Sequence, residues 1–184
     1  MPEYTPHYGF PYSKEGDYLA AYPTEVSQPA AEQVDTALED QRNIPICAVN
    51  RQPASGGVSI TSGTWKNITE YETSPAINLG PITYASGIIT ITRAGIYTMT
   101  GAASFSAAAA GRRGLGYLLN GAQIMPEVVL PAVVNSTFSM SAVTLDYELW
   151  VGDKIQMRAF QDAGGTLQLS NMRFTCAYRR DLEG

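Results

Sequence analysis

From Ile44 onward, apolar and polar residues alternate in short runs of period two, and helical periodicity is absent. Tyr97, Met99, Ala103 and Phe105 alternate with Thr98, Thr100, Ser104 and Ser106, which assigns the first row to a core and the second to an outer face. Ile89 and Ile91 alternate with Thr90 and Thr92 in the segment before it. Leu115, Tyr117 and Leu119 run into Asn120-Gly121, the dipeptide that best accepts the two positive φ angles of a type I′ hairpin turn, and the chain returns through Gln123, Ile124 and Met125. Four more strands are predicted at Phe138–Leu149, Lys154–Phe160, Thr166–Ser170 and Met172–Tyr178, with Gly152-Asp153 and Gly164-Gly165 as turns. Roughly eight to ten strands over residues 44–180 predict an all-β sandwich or jelly roll.

The pattern before Ile44 is different. Residues 1–26 hold Tyr4, Tyr8, Tyr12, Tyr18 and Tyr22 with Phe10 and four prolines, and neither period is present. Rings spaced along a proline-stiffened segment offer large contact area at low entropic cost, so these six aromatics are the expected docking residues of an extended arm. Residues 27–43 predict one short helix, with Pro29 tolerated in the first turn and Ala, Glu, Gln and Leu following. Ala31, Val34 and Leu38 follow the seam spacing of a coiled coil, while Glu32, Asp35, Glu39 and Asp40 lie off it. Fewer than two heptads do not persist alone, so the helix either packs on its own domain or bundles with copies as a trimeric neck. The expected order is a 1–26 arm, a 27–43 neck helix, a 44–180 head and a 181–184 tail.

Composition narrows the functions. In 184 residues, 45% are hydrophobic and 16% charged, enough for one buried core. A net charge of −5 opposes phosphate neutralisation, so nucleic acid is not an expected partner. No basic segment followed by an apolar run opens the chain, and Pro131 interrupts the longest apolar stretch, Val128–Val134; no signal peptide and no membrane insertion are expected. One histidine, His7, and two cysteines, Cys47 and Cys176, are too few for a structural zinc or a redox motif, so neither metal nor cofactor nor enzymatic activity is expected. Cys47 and Cys176 are read as buried thiols, with a bridge as the alternative suited to secretion. Asn67-Ile68-Thr69 and Asn135-Ser136-Thr137 match the glycosylation pattern, which would matter only in that second case. Gly111-Arg112-Arg113-Gly114-Leu115-Gly116 looks like a phosphate loop, but a strand pattern follows where a helix amino terminus is needed. Arg112 and Arg113 remain candidate contacts to an acidic or sugar-phosphate surface from a loop tip.

The order of these features resembles the trimeric jelly rolls typified by the globular head of complement's first component and by tumour necrosis factor. Tyr84 and Gly87 precede the strand Ile88–Thr92 and the step Gly95-Ile96-Tyr97. A Leu118-Leu119-Asn120-Gly121 hairpin, the Leu149-Trp150-Val151-Gly152-Asp153 turn, a Lys154–Phe160 strand and Phe174 in the closing strand follow in the family's order. The resemblance covers Ile46 to Tyr178 and implies a homotrimer; a collagen-like stalk is absent, and Thr175-Cys176 follow Phe174 where the family has glycine. Residues 1–42 are similar instead to the openings of small phage tail and fibre proteins, through the Tyr/Pro-rich start and the Ala31-Glu32-Gln33-Val34-Asp35 helix. Together these imply a non-enzymatic phage virion protein of the minor tail or fibre kind, made in the host cytoplasm. Its arm would bind other virion proteins and its trimeric head would attach to host cell-surface carbohydrate. Capsid decoration, or a head fibre, is the first alternative, and a secreted complement-head-like recognition module the second.

Overall fold

The structure, a computed structural model, describes residues 3–4, 11–12, 32–39, 44–51, 57–71, 74–123, 127–133 and 135–182. Two compact units divide the chain, Met1–Ile44 and Pro45–Gly184. In the first, β1 (Glu3–Tyr4) pairs antiparallel with β2 (Pro11–Tyr12), so the start of the predicted extended arm doubles back on itself. Proline is tolerated there because a two-strand ribbon is all edge. Tyr4 and Tyr12 belong to this pair, whereas Tyr8, Phe10, Tyr18 and Tyr22 lie outside the described residues. Helix α1 (32–39) falls inside the predicted 27–43. Val34 is 50% exposed and Leu38 half-buried, while Asp35, off the predicted seam, is the buried position; Ala31 lies outside the described residues.

The second unit is a two-sheet sandwich. Its strands are β3 (Ile46–Arg51), β4 (Val58–Ile60), β5 (Thr64–Asn67), β6 (Ile77–Leu79), β7 (Ile82–Ala85), β8 (Ile88–Ile91), β9 (Gly95–Phe105) and β10 (Arg112–Leu119). They continue through β11 (Ala122–Gln123), β12 (Val128–Pro131), β13 (Phe138–Leu149), β14 (Lys154–Gln161) and β15 (Leu167–Arg180). One sheet runs β13-β9-β15-β3-β6 with β4 on β15, and the other runs β11-β10-β14-β8-β7 with β12 on β10 and β5 on β14. Apart from the β7-β8 and β10-β11 hairpins, neighbours in this order are far apart in sequence, the mark of a jelly roll rather than a meander.

Alternation fills the space between the sheets. Tyr97, Met99, Ala103 and Phe105 are buried as their pattern predicts, and so are Ile155, Met157 and Ala159 of β14 in the other sheet. Tyr117 stacks on Phe174 across the core at 5.7 Å between centroids. Gly101 on β9 pairs with Phe174, and a Cβ there would stand 2.6 Å from Met157 Sδ and 3.1 Å from Tyr117 Oη, so glycine lets these side chains of the facing sheet come close without shifting. Cys47 and Cys176 face each other in register on β3 and β15, buried and unbridged. Burial pushes the Cys47 thiol up to about 11 and raises Cys176 as well.

Two local predictions meet different outcomes. The Asn120-Gly121 turn forms with φ of 51° and 83°, and Leu119 pairs with Ala122 across it. The separate strands predicted at Thr166–Ser170 and Met172–Tyr178 are one strand, β15. Asn171, at φ 47°, absorbs the irregularity between Ser170 and Arg173 as a bulge, so the chain never leaves the ladder against β9.

Candidate functional site

Three turns meet at one end of the sandwich: β8 to β9, β10 to β11 and β13 to β14. Asp153 ties them together. Its Oδ1 accepts from Asn120 Nδ2 at 2.7 Å and its Oδ2 from the Trp150 backbone N–H at 2.8 Å. Asn120 Oδ1 in turn accepts from the Lys154 N–H at 2.9 Å. Backbone bonds close the third side, from Gly152 N–H to Ile91 O at 2.8 Å and from Ile91 N–H to Asp153 O at 2.9 Å. Hydrogen bonds to a carboxylate are the stronger kind, so this turn is pre-organised rather than loose.

The residues so held are apolar and in water: Trp150 is 59% exposed and Val151 68%. Depressions lie on both sides of them. One, of about 630 Å³, is lined by Val151 with Ile88, Leu118, Asn120, Lys154 and Gln156. The other, of about 200 Å³, is lined by Trp150 with Ile96, Glu148, Arg180 and Leu182. Ile96 pairs with Glu148 on one side and Arg180 on the other, so the three form one cross-strand row at the end of the sheet. Behind this row Arg93 reaches Asp181 at 3.1 Å and lies 4.7 Å over the Tyr178 ring.

Exposed aliphatic side chains gather at the sheet edges. Strands β12 and β13 border their two sheets, and on or between them Val129, Leu130, Val133, Val143 and Leu145 are exposed. Strand β6 is the opposite border of the six-stranded sheet and exposes Ile77 and Leu79. Such edges in a weakly charged protein are pairing surfaces unless something covers them.

The arginine pair expected at a loop tip is in a strand, because β10 begins at Arg112. Arg113 is fully buried, on the same face as Leu115 and Tyr117, and cannot reach an external partner. Its Nη1 donates to Arg112 O at 2.9 Å and its Nη2 to Ala110 O at 3.3 Å, and burial lowers its pKa. Arg112 is exposed but engaged by Asp162, 2.7 Å from its Nη2 and 2.8 Å from its Nε. Trp150, the side chain that does face solvent at a rigid turn, had a signal in the sequence: a tryptophan and a valine directly before Gly-Asp, where turn residues are normally polar.

Strand order and the paired sheets match solved structures. The chain superposes on Eiger TNF from S. frugiperda with a TM-score of 0.53 at 13% identity, covering 76% of this chain and 96% of that one. It superposes on murine APRIL with a TM-score of 0.51 at 12% identity, covering 74% and 99%. The head is a tumour-necrosis-factor-like jelly roll. At these identities the likeness is one of fold. No family model matches the chain. In sequence it is similar to uncharacterized protein L688 of Acanthamoeba polyphaga mimivirus, 34% identical over 119 residues, which is 61% of this chain and 50% of that protein. The chain therefore has a viral relative and spans about half of that relative's length.

Proposed function

We propose that this chain is a non-enzymatic virion structural protein, of the minor tail or fibre kind, whose homotrimeric jelly-roll head attaches the particle to a host surface. The observation that carries the reading is the pre-organised tip, which holds Trp150 and Val151 in solvent on a turn fixed by Asp153. A large aromatic kept exposed by a rigid network is what an adhesive contact needs and what a purely structural shell avoids. Two further observations support it: the viral relative, and the two apolar edges at opposite borders of one sheet. An edge carrying Val143 and Leu145 that packs on the Ile77 and Leu79 border of the next copy makes a head-to-tail contact, and three such contacts close a ring. The Tyr- and Pro-rich residues 1–26 dock on other virion proteins.

The competing reading is capsid decoration, in which the head stabilises the particle without touching the host. Particles carrying residues 1–44 alone, compared with wild type, separate the two. Lost adsorption with intact particles is the expected result; unchanged adsorption with lower heat tolerance would overturn adhesion in favour of decoration.

A further inference from the structure

We propose that Asn120 is a site of spontaneous deamidation, and that its conversion to aspartate or isoaspartate releases the tie between the 120–121 and 150–153 turns. Asparagine is a thermolabile residue, and Asn120 alone of the asparagines in this chain precedes glycine. Deamidation begins when the backbone nitrogen of the next residue reaches the asparagine Cγ, and glycine leaves that nitrogen unscreened by a Cβ. Asn120 and Gly121 are both exposed, and a Cβ built on Gly121 would meet nothing within 4 Å, so water has access from that side. Asn135 and Asn171 share the positive φ of Asn120 but precede Ser136 and Met172.

The step needs water and no other co-reactant. The Gly121 backbone nitrogen attacks Asn120 Cγ, a C–N bond forms to close a five-membered succinimide, and Nδ2 leaves as ammonia with the proton that Gly121 gives up. Water then opens the ring. Cleavage of the new bond gives aspartate, and cleavage of the original peptide bond gives isoaspartate, with the main chain running through the former side chain.

The folded turn governs both when this happens and what it does. While Asn120 Nδ2 donates to Asp153 Oδ1 at 2.7 Å and its Oδ1 accepts from the Lys154 N–H at 2.9 Å, the carboxamide is directed at residues 153 and 154 and not at the Gly121 nitrogen. Reaction therefore proceeds from the opened turn, and Asp153 holds it back. After conversion the donor is gone and a second carboxylate faces Asp153, whose other oxygen already accepts from the Trp150 N–H; like charges at that distance repel. Isoaspartate also adds a methylene to the main chain of a two-residue turn, which breaks the match between Leu119 and Ala122. The bonds from Ile91 to residues 152 and 153 do not involve Asn120, so the 150–153 turn keeps its β8–β9 side and loses its β10–β11 side. The result is an irreversible ageing switch in the presentation of Trp150 and Val151, whatever partner they meet.

The full-length chain is held in mildly alkaline buffer at physiological temperature, folded and in urea, and mapped by mass spectrometry of its peptides. A mass rise of about 1 Da should appear at Asn120 in both samples, more slowly in the folded one. A folded chain that shows no conversion after many half-lives of the unfolded one would overturn the site. Asp153→Ala removes the bond that holds the carboxamide, so folded Asn120 should convert roughly tenfold faster or more, with Asn135 and Asn171 unchanged as markers of an intact fold. Equal rates in wild type and this variant would overturn the role of Asp153. The consequence is read separately, so it stands even if that variant fails to fold. The chain has two tryptophans, and Trp65→Phe leaves Trp150 as the sole indole fluorophore. In that background the aged acidic fraction from anion exchange, and freshly made Asn120→Asp, should both melt lower and shift the Trp150 emission. Melting and emission identical to the unaged chain would show that conversion leaves the tip in place and overturn the switch.

Discussion

Replacing Asn120 tests whether the tip is held as described. Asn120→Gly keeps the backbone free to adopt the observed φ of 51° but removes both side-chain bonds, to Asp153 Oδ1 and from Lys154 N–H. A bond to a carboxylate contributes about 1.5–3 kcal/mol and a neutral one about 0.5–1.5, and exposure of this turn places both at the low end, so the loss is about 2 kcal/mol. Glycine's backbone entropy, roughly 0.5–1 kcal/mol, is offset by relief of the positive φ that Asn120 holds, so the loss stays near 2 kcal/mol. For a chain of this size each kcal/mol moves Tm by about 2–4 °C, which predicts a fall of about 4–8 °C in circular dichroism melts at fixed protomer concentration. Asn120→Ala should fall further, because a side chain at positive φ adds its own cost of about 1–2 kcal/mol. A Tm for Asn120→Gly within about 1 °C of wild type would refute the network, since the relief glycine brings at this φ only offsets its backbone entropy.

Other outcomes follow from burial, charge and organisation. Cys47 and Cys176, raised by burial, should resist a disulfide reagent in the native protein and both react after denaturation; fast labelling in native buffer would contradict their place in the core. Asp162 is held below the ordinary carboxylate range by the Arg112 backbone N–H and then by its guanidinium. Its contribution to stability is therefore complete above the unfolded pKa, about 3.9, and disappears as pH falls through the lower folded value, so the stability curves of wild type and Asp162→Asn should differ at neutral pH and converge in acid. A constant difference down to pH 2 would refute that linkage. Deleting residues 1–26 should leave the melting of the head unchanged and abolish incorporation into particles; normal copy number in the truncated form would place the attachment elsewhere.

What could be read from the sequence was the part governed by local period. The inward row Tyr97, Met99, Ala103 and Phe105 is a direct consequence of strand alternation, and the Asn120-Gly121 turn follows from which residues tolerate positive φ. The same alternation, extended one step upstream from Leu115 and Tyr117, places Arg113 inside, and reading the Gly-Arg-Arg-Gly run as a loop hid it. Asn171 marked a break because asparagine is a turn residue, yet a single left-handed residue also makes a bulge within a continuous strand. The tip lay beyond local reading. Asn120 and Asp153 are 33 positions apart, and only the pairing of β10 with β14 brings their turns together. The Glu148–Ile96–Arg180 row likewise exists only once β9 lies between β13 and β15.

Competition for adsorption tests the central claim, that an oligomeric head is the adhesive part of a particle. Purified wild-type chain and Leu145→Asp, which places a charge on the exposed β13 edge, are each incubated with host cells before virions are added. Light scattering should give three copies of the 19.8 kDa chain for wild type and one for the variant. Wild type should then block adsorption at a concentration roughly a hundredfold lower than the variant, the gain expected when three weak sites act together. Absence of any block by the wild-type trimer, or equal potency of trimer and monomer, would contradict the account.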